Sequence, residues 1–60
     1  MVHKIKEIAK SRHLSIAEVE RLSNVTERTI RRWDTQDPSV HKVYRVAKVL
    51  GTTVEELLEG

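Results

Sequence analysis

Cysteine is absent from the 60-residue chain. Disulfides and thiolate metal sites are therefore excluded, and the composition fits a reducing cytosol. The sequence also lacks any apolar run close to the roughly 20 residues that a membrane-spanning helix needs, and its start, MVHKIKEIAK, lacks the apolar block of a signal peptide. We therefore expect a soluble cytoplasmic protein that has no membrane partner.

The chain also lacks the residue patterns that support catalysis. It contains no glycine-rich phosphate loop, no nucleophile next to a base and no paired carboxylates in a predicted cleft. Its histidines, His3, His13 and His41, do not have metal-ligand spacing. A chain of this length should bury only about 60% of its unfolded surface, which leaves little room for a substrate cavity. We expect no enzyme activity, no cofactor, no metal and no small-molecule substrate.

Positive charge is concentrated in the first half of the chain. The net charge is only +2, but residues 1–32 carry +4 and residues 33–60 carry −2. A face that binds a polyanion would produce this bias, and ordinary solvated helix faces would also produce it. Charge alone leaves both explanations open.

Residues 15–34 predict two short helices joined by a sharp turn. Ser15 and Glu18 have the spacing of a capping box, in which each side chain binds the backbone amide of the other residue. A helix should therefore begin at Ser15 and end near Leu22. Asn24 tolerates the left-handed backbone conformation that closes a helix abruptly.

Thr26 is the predicted N-cap of the next helix, which should span residues 27–34. Ile30 and Trp33 lie at helical spacing and define its core side, and Trp33 is expected to anchor the core rather than to stack on a base. The other side and the flank are basic and polar, with Arg28, Arg31, Arg32 and Thr35.

Three further helices are predicted. The first covers residues 4–12 and ends at His13 in a left-handed conformation. The fourth follows Pro38, with Asp37 or Ser39 as its cap, and ends at Gly51. Its apolar stripe consists of Val40, Val43, Val46, Ala47 and Leu50.

The last predicted helix is short and starts with a second capping-box spacing, formed by Thr53 and Glu56. One face of this helix is apolar and comprises Val54, Leu57 and Leu58. This face should either close the core or contact a second subunit.

Two stretches of the chain carry a family pattern. The first has apolar, turn, apolar, cap and apolar residues at Val19, Asn24, Val25, Thr26 and Ile30. The second, PSVHKVYRVAKVLGTTVEELL, contains a Pro-Ser pair, a helix that ends in Leu-Gly and a short helix after Thr. Together they resemble the phage Cro and lambda-repressor-like helix-turn-helix family, of the XRE type, over residues 5–58.

The resemblance implies a compact all-α, five-helix DNA-binding domain that covers residues 1–60. It also implies a sequence-specific transcriptional regulator that binds double-stranded DNA with its third helix in the major groove. Such a protein would repress transcription as a homodimer on an inverted-repeat operator, in the cytoplasm of a bacterial or phage-infected cell, associated with the nucleoid.

Site residues follow by carrying the family's positions onto this chain. The expected base-contacting residues are Glu27, Arg28 and Arg32. Arginine suits guanine and glutamate suits the cytosine amino group. The expected DNA-backbone contacts are Ile16, Thr26, Arg31, Thr35 and Gln36.

The chain departs from the family pattern at three places. The family usually has Gln at the position of Ile16, so here the backbone amide is the expected phosphate contact. Glu20 stands where the family prefers Ala, and we expect its carboxylate either to pair with Arg28 or Arg31 or to point into solvent. The loop after Trp33 is about two residues shorter than usual and is not basic.

Two alternatives to a Cro-like regulator remain at this point. One is a protein-interaction module on the same fold, such as an antirepressor or antitoxin-like partner, that uses Leu22 and the final helix. The other is a winged helix-turn-helix of the MerR or excisionase type, which the stretch EVERLSNVTERTIRRWD also resembles. A wing needs a strand pair, which the helical C-terminal half disfavours.

Overall fold

The computed structural model of the chain describes residues 1–59 and contains five α-helices. No strand occurs within this range. The expected all-α, five-helix fold is therefore confirmed, and the winged alternative does not fit. In chain order the helices are α1 (Val2–Ser11), α2 (Ile16–Leu22), α3 (Thr29–Arg32), α4 (Val40–Leu50) and α5 (Val54–Glu59).

A single core receives side chains from all five helices. Helix α4 contacts α1, α2 and α5, and α2 connects this group to α3. The largest fully buried side chains are Ile5, Val19, Ile30, Val46, Leu50 and Leu57. Because every helix contributes at least one of them, the position of each helix depends on the others.

Local signals set most of the helix ends as expected. The Ser15 hydroxyl accepts from the Glu18 amide at 3.1 Å, and the Glu18 carboxylate accepts from the Ser15 amide at 2.9 Å. Hydrogen bonding to the Ser15 backbone amide, and then to the Ser15 side chain, favours the charged carboxylate and lowers the pKa of Glu18. The left-handed conformations expected at helix ends are confirmed at His13, Asn24 and Gly51, with φ of 60°, 59° and 71°.

The second capping box is only half formed. The Thr53 hydroxyl accepts from the Glu56 amide at 3.1 Å, as expected. The Glu56 carboxylate, however, binds the hydroxyl of Thr52. At α4 the cap position is Ser39, which decides between the two expected caps, Asp37 and Ser39.

Two apolar residues expected on buried faces are exposed. Val40 is 74% exposed because it lies in the first turn of α4, where it lines a surface groove and not the core. Leu58 is 63% exposed because its neighbour Leu57 points into the core, and adjacent helical positions differ by about 100° in direction. Leu22 is exposed as expected.

No helix within residues 1–59 is both long and apolar enough to cross a membrane.

Leu57 should be essential for folding, whereas the adjacent Leu58 should not. Leu57 has no exposed surface, so Leu57→Ala should lower the free energy of unfolding by about 2–5 kcal/mol. That loss is a large part of the roughly 5–15 kcal/mol typical of a small protein. Urea denaturation followed by circular dichroism measures both variants. Equal losses for Leu57→Ala and Leu58→Ala would contradict this assignment of the core.

Candidate nucleic-acid interface

Helix α2 ends in a hydrogen-bonded motif that redirects the chain sharply. With Asn24 left-handed, the Val25 amide donates to the Glu20 carbonyl at 3.0 Å, and the Asn24 amide donates to the Arg21 carbonyl at 3.3 Å. These are the two bonds of a Schellman motif. Ser23 is buried in the turn, and its hydroxyl donates to the Val19 carbonyl. The turn therefore has a fixed geometry.

Helix α3 begins later and is shorter than the sequence predicts. It spans Thr29–Arg32, and its cap position is Arg28, whose φ of 71° is left-handed. The expected cap at Thr26 and the expected helix over residues 27–34 are therefore wrong. Thr26 contributes its carbonyl, which accepts from the Thr29 amide at 3.0 Å and forms a turn before the helix.

The carboxylate of Glu20 lies at this helix start. Its Oε1 accepts from the Arg28 amide at 3.1 Å, and its Oε2 accepts from the Ile30 amide at 3.0 Å. The first amides of a helix have no partner within the helix and favour a negative charge. A tertiary contact thus caps α3 in place of a local side chain.

Both expectations for Glu20 were wrong. The residue is only 3% exposed, so it does not point into solvent. Its carboxylate binds the backbone of Arg28 rather than a guanidinium group. The sequence did contain a signal for this contact, because it has a glutamate at a position where two helices approach closely. A carboxylate buried there must find hydrogen-bond donors.

Helix α3 has a buried side and a basic side, as expected. Thr29 and Ile30 are buried, and Trp33 is partly buried and packs against the core. Three arginines and one glutamate on the other side are exposed, namely Arg28, Arg31, Arg32 and Glu27. Charged groups therefore project from the face of α3 and of the turn before it.

Two grooves lie beside this basic side and contain most of the expected site residues. The groove between α2 and α3 is lined by Ile16, Glu27, Arg28 and Arg31, together with Ala17 and Glu20. Ile16 also packs against the core, so its side chain is mainly structural. The second groove, between α3 and the start of α4, includes Thr26, Arg32 and Gln36. Thr35 is exposed but lines neither groove.

The sequence did not indicate two cations that flank α3. Lys42, in the first turn of α4, lines the second groove with Arg32 and Gln36. Lys6 of α1 lines a small groove that also contains Arg31 and Asp34. Helical periodicity identified both lysines as solvated, but only the packing of three helices brings them beside α3.

A family model supports the same interpretation. The helix-turn-helix family model matches residues 5–57. Comparisons with curated proteins and with solved structures found no match. The match covers nearly the whole chain, and the five helices within residues 1–59 include the helix, turn and helix formed by α2, the turn after it and α3. The protein belongs to the helix-turn-helix family of the lambda-repressor and Cro type.

Proposed function

We propose that the protein is a sequence-specific DNA-binding transcriptional regulator that inserts α3 into the major groove. The observation that carries the proposal is the two-sided character of α3. One side is buried through Thr29 and Ile30, and the other exposes Arg28, Arg31 and Arg32. A short basic element held rigidly at the surface suits the width and negative charge of a major groove.

The proposed division of roles follows from side-chain chemistry and position. Arg28 and Arg32 each donate two parallel hydrogen bonds to guanine, and Glu27 accepts from the cytosine amino group. Phosphate contacts fix the orientation of the protein without reading the sequence. We assign them to Ile16 through its amide and to Thr26, Arg31, Thr35 and Gln36, and we add Lys42 because it shares a groove with Arg32.

The protein would act as a homodimer on an inverted-repeat operator and block transcription. A monomer of this size makes few phosphate contacts and binds weakly. A surface groove formed by α4, α5 and the segment before α4 is lined by Val40, Val43 and Leu58. Val40 and Leu58 are largely exposed apolar side chains, and we propose this groove as the contact with a second copy.

Since its ligand is chromosomal or phage DNA, the protein would work in the cytoplasm of a bacterial or phage-infected cell, associated with the nucleoid. The expected absence of enzyme activity is part of the same proposal, because a DNA-binding repressor acts by occupying its site.

A protein-interaction module is the second candidate function, as an antirepressor or antitoxin-like partner. The exposure of Leu22 and Leu58 favours it. The salt dependence of duplex binding separates the two functions. For a DNA-binding protein, log K should fall with log salt by about 0.9 per phosphate neutralised, whereas an interaction module should bind duplex weakly at every salt concentration.

Arg28 and Arg31 should differ in what they contribute to binding. On a duplex that the wild-type chain selects from a random pool, Arg28→Ala should lower affinity by about 5–150-fold, because one base contact is lost. On random duplex it should have little effect. Arg31→Ala should weaken binding to both duplexes alike and lower the salt slope by about 1. Fluorescence anisotropy measures all four affinities, and equal losses for both variants on both duplexes would contradict these roles.

Leu58→Ser should weaken the dimer, whereas Leu22→Ser should not. Both leucines are exposed, so neither change should unfold the chain, and Leu22 lies on α2 and does not line the proposed contact. Sedimentation equilibrium, alone and on an inverted-repeat duplex, should show two copies for the wild type and for Leu22→Ser. Dissociation by Leu22→Ser and not by Leu58→Ser would exclude the groove as the dimer contact.

A further inference from the structure

Arg28 has a backbone conformation that its residue type does not favour. Within residues 1–59, three residues other than glycine have positive φ, namely His13, Asn24 and Arg28. His13 and Asn24 follow the ends of helices, where a left-handed residue is common. Arg28 instead precedes a helix, and arginine lacks the short polar side chain that makes this conformation tolerable for asparagine. Contacts from elsewhere must hold it there.

The carboxylate of Glu20 provides such contacts. Its two oxygens accept from the amides of Arg28 and Ile30, the residues on either side of Thr29. Two fixed bonds at this spacing restrict the rotation of the backbone between them. Glu20 is itself immobilised, because it is buried and its carbonyl accepts from the Val25 amide. The contact therefore connects α2, the turn and α3 rigidly.

We infer that Glu20 is a positioning residue for DNA recognition: it holds Arg28 in the left-handed conformation and so directs the side chains of Arg28 and Arg32. The inference rests on the proposed function, and it adds a determinant of specificity that does not itself touch DNA. Base reading requires a fixed direction for each guanidinium group, whereas a phosphate contact tolerates more freedom. Loss of the Glu20 contact should therefore reduce specificity more than general affinity.

A carboxylate is needed because both partners are donors. Each oxygen of Glu20 accepts one amide hydrogen, and these bonds are strengthened by the negative charge. Glutamine has nearly the same shape but presents one oxygen and one amino group. In Glu20→Gln the amino group would face a backbone N–H, so one of the two bonds would be lost.

Binding of Glu20→Gln to DNA gives the first test. Its affinity for the selected duplex should fall about tenfold, while its affinity for random duplex should change little. Glu55→Gln is the matched control, because Glu55 is exposed on α5 and the change in charge is the same. Equal effects of Glu20→Gln on both duplexes, or effects equal to those of Glu55→Gln, would overturn the specificity role.

Thermal unfolding tests the backbone contact without DNA. Glycine adopts positive φ freely, so Arg28→Gly removes the need to hold this position. When the contact is lost, Arg28 can leave its strained conformation and so recovers part of the cost, whereas a glycine has no strain to release. Glu20→Gln should therefore lower the Tm more in an Arg28→Gly background than in the wild-type background. Equal decreases in Tm in the two backgrounds would overturn the claim that Glu20 holds Arg28.

Amide hydrogen exchange in the wild-type chain keeps the inference testable even if Glu20→Gln does not fold. The amides of Arg28 and Ile30 should be protected, and exchange of both at the rate of free amides would refute the contact.

Failure of the proposed function can be distinguished from failure of the Glu20 contact. If the wild-type chain bound no duplex at any salt concentration, the regulator and the specificity role would both fall, while the Tm and exchange measurements would still decide the contact.

Discussion

The two hydrogen bonds from the Glu20 carboxylate to the start of α3 determine how the DNA-binding half of the molecule is built. Burial of a charged group is unfavourable unless donors satisfy it, and here both oxygens have backbone donors. Removal of the carboxylate would leave the buried Ile30 amide without a partner, at a cost of roughly 1–3 kcal/mol, and would also remove the partner of the part-buried Arg28 amide. For a chain of this size that is a substantial fraction of the total stability.

The same contact separates the structural and functional sides of α3. Ile30 is fixed in the core through its side chain and through its amide, so the short helix cannot rotate about its axis. Its basic residues must then face outward, between the groove beside α2 and the groove beside α4. In a helix of four residues, orientation comes from such tertiary contacts and not from the helix's own hydrogen bonds.

The parts of the fold that depend on nearby residues were predictable from the sequence. The capping box at Ser15, the left-handed Asn24 and Gly51, and the buried stripe of α4 from Val43 to Leu50 all depend on residues within a turn or two. Each element was identified because the local signal and the tertiary structure agree.

The parts that depend on distant contacts were not predictable. Thr26 was a reasonable cap by residue type, but the carboxylate of Glu20 binds amides further along the chain, and α3 starts at Thr29. Periodicity placed Val40 and Leu58 on apolar faces but could not show where the neighbouring helices end. The position of Lys42 beside Arg32 likewise depends on how α4 packs. The assignment of bases and phosphates to individual residues remains a proposal.

The most direct test of sequence-specific recognition is selection from a pool of random DNA duplexes at near-physiological salt, followed by sequencing of the retained DNA. The account predicts enrichment of an inverted repeat whose half-sites lie about 34 Å, or one helical turn, apart. Retention without any enriched sequence would contradict sequence-specific recognition. A lack of retention at both low and moderate salt would contradict DNA binding itself.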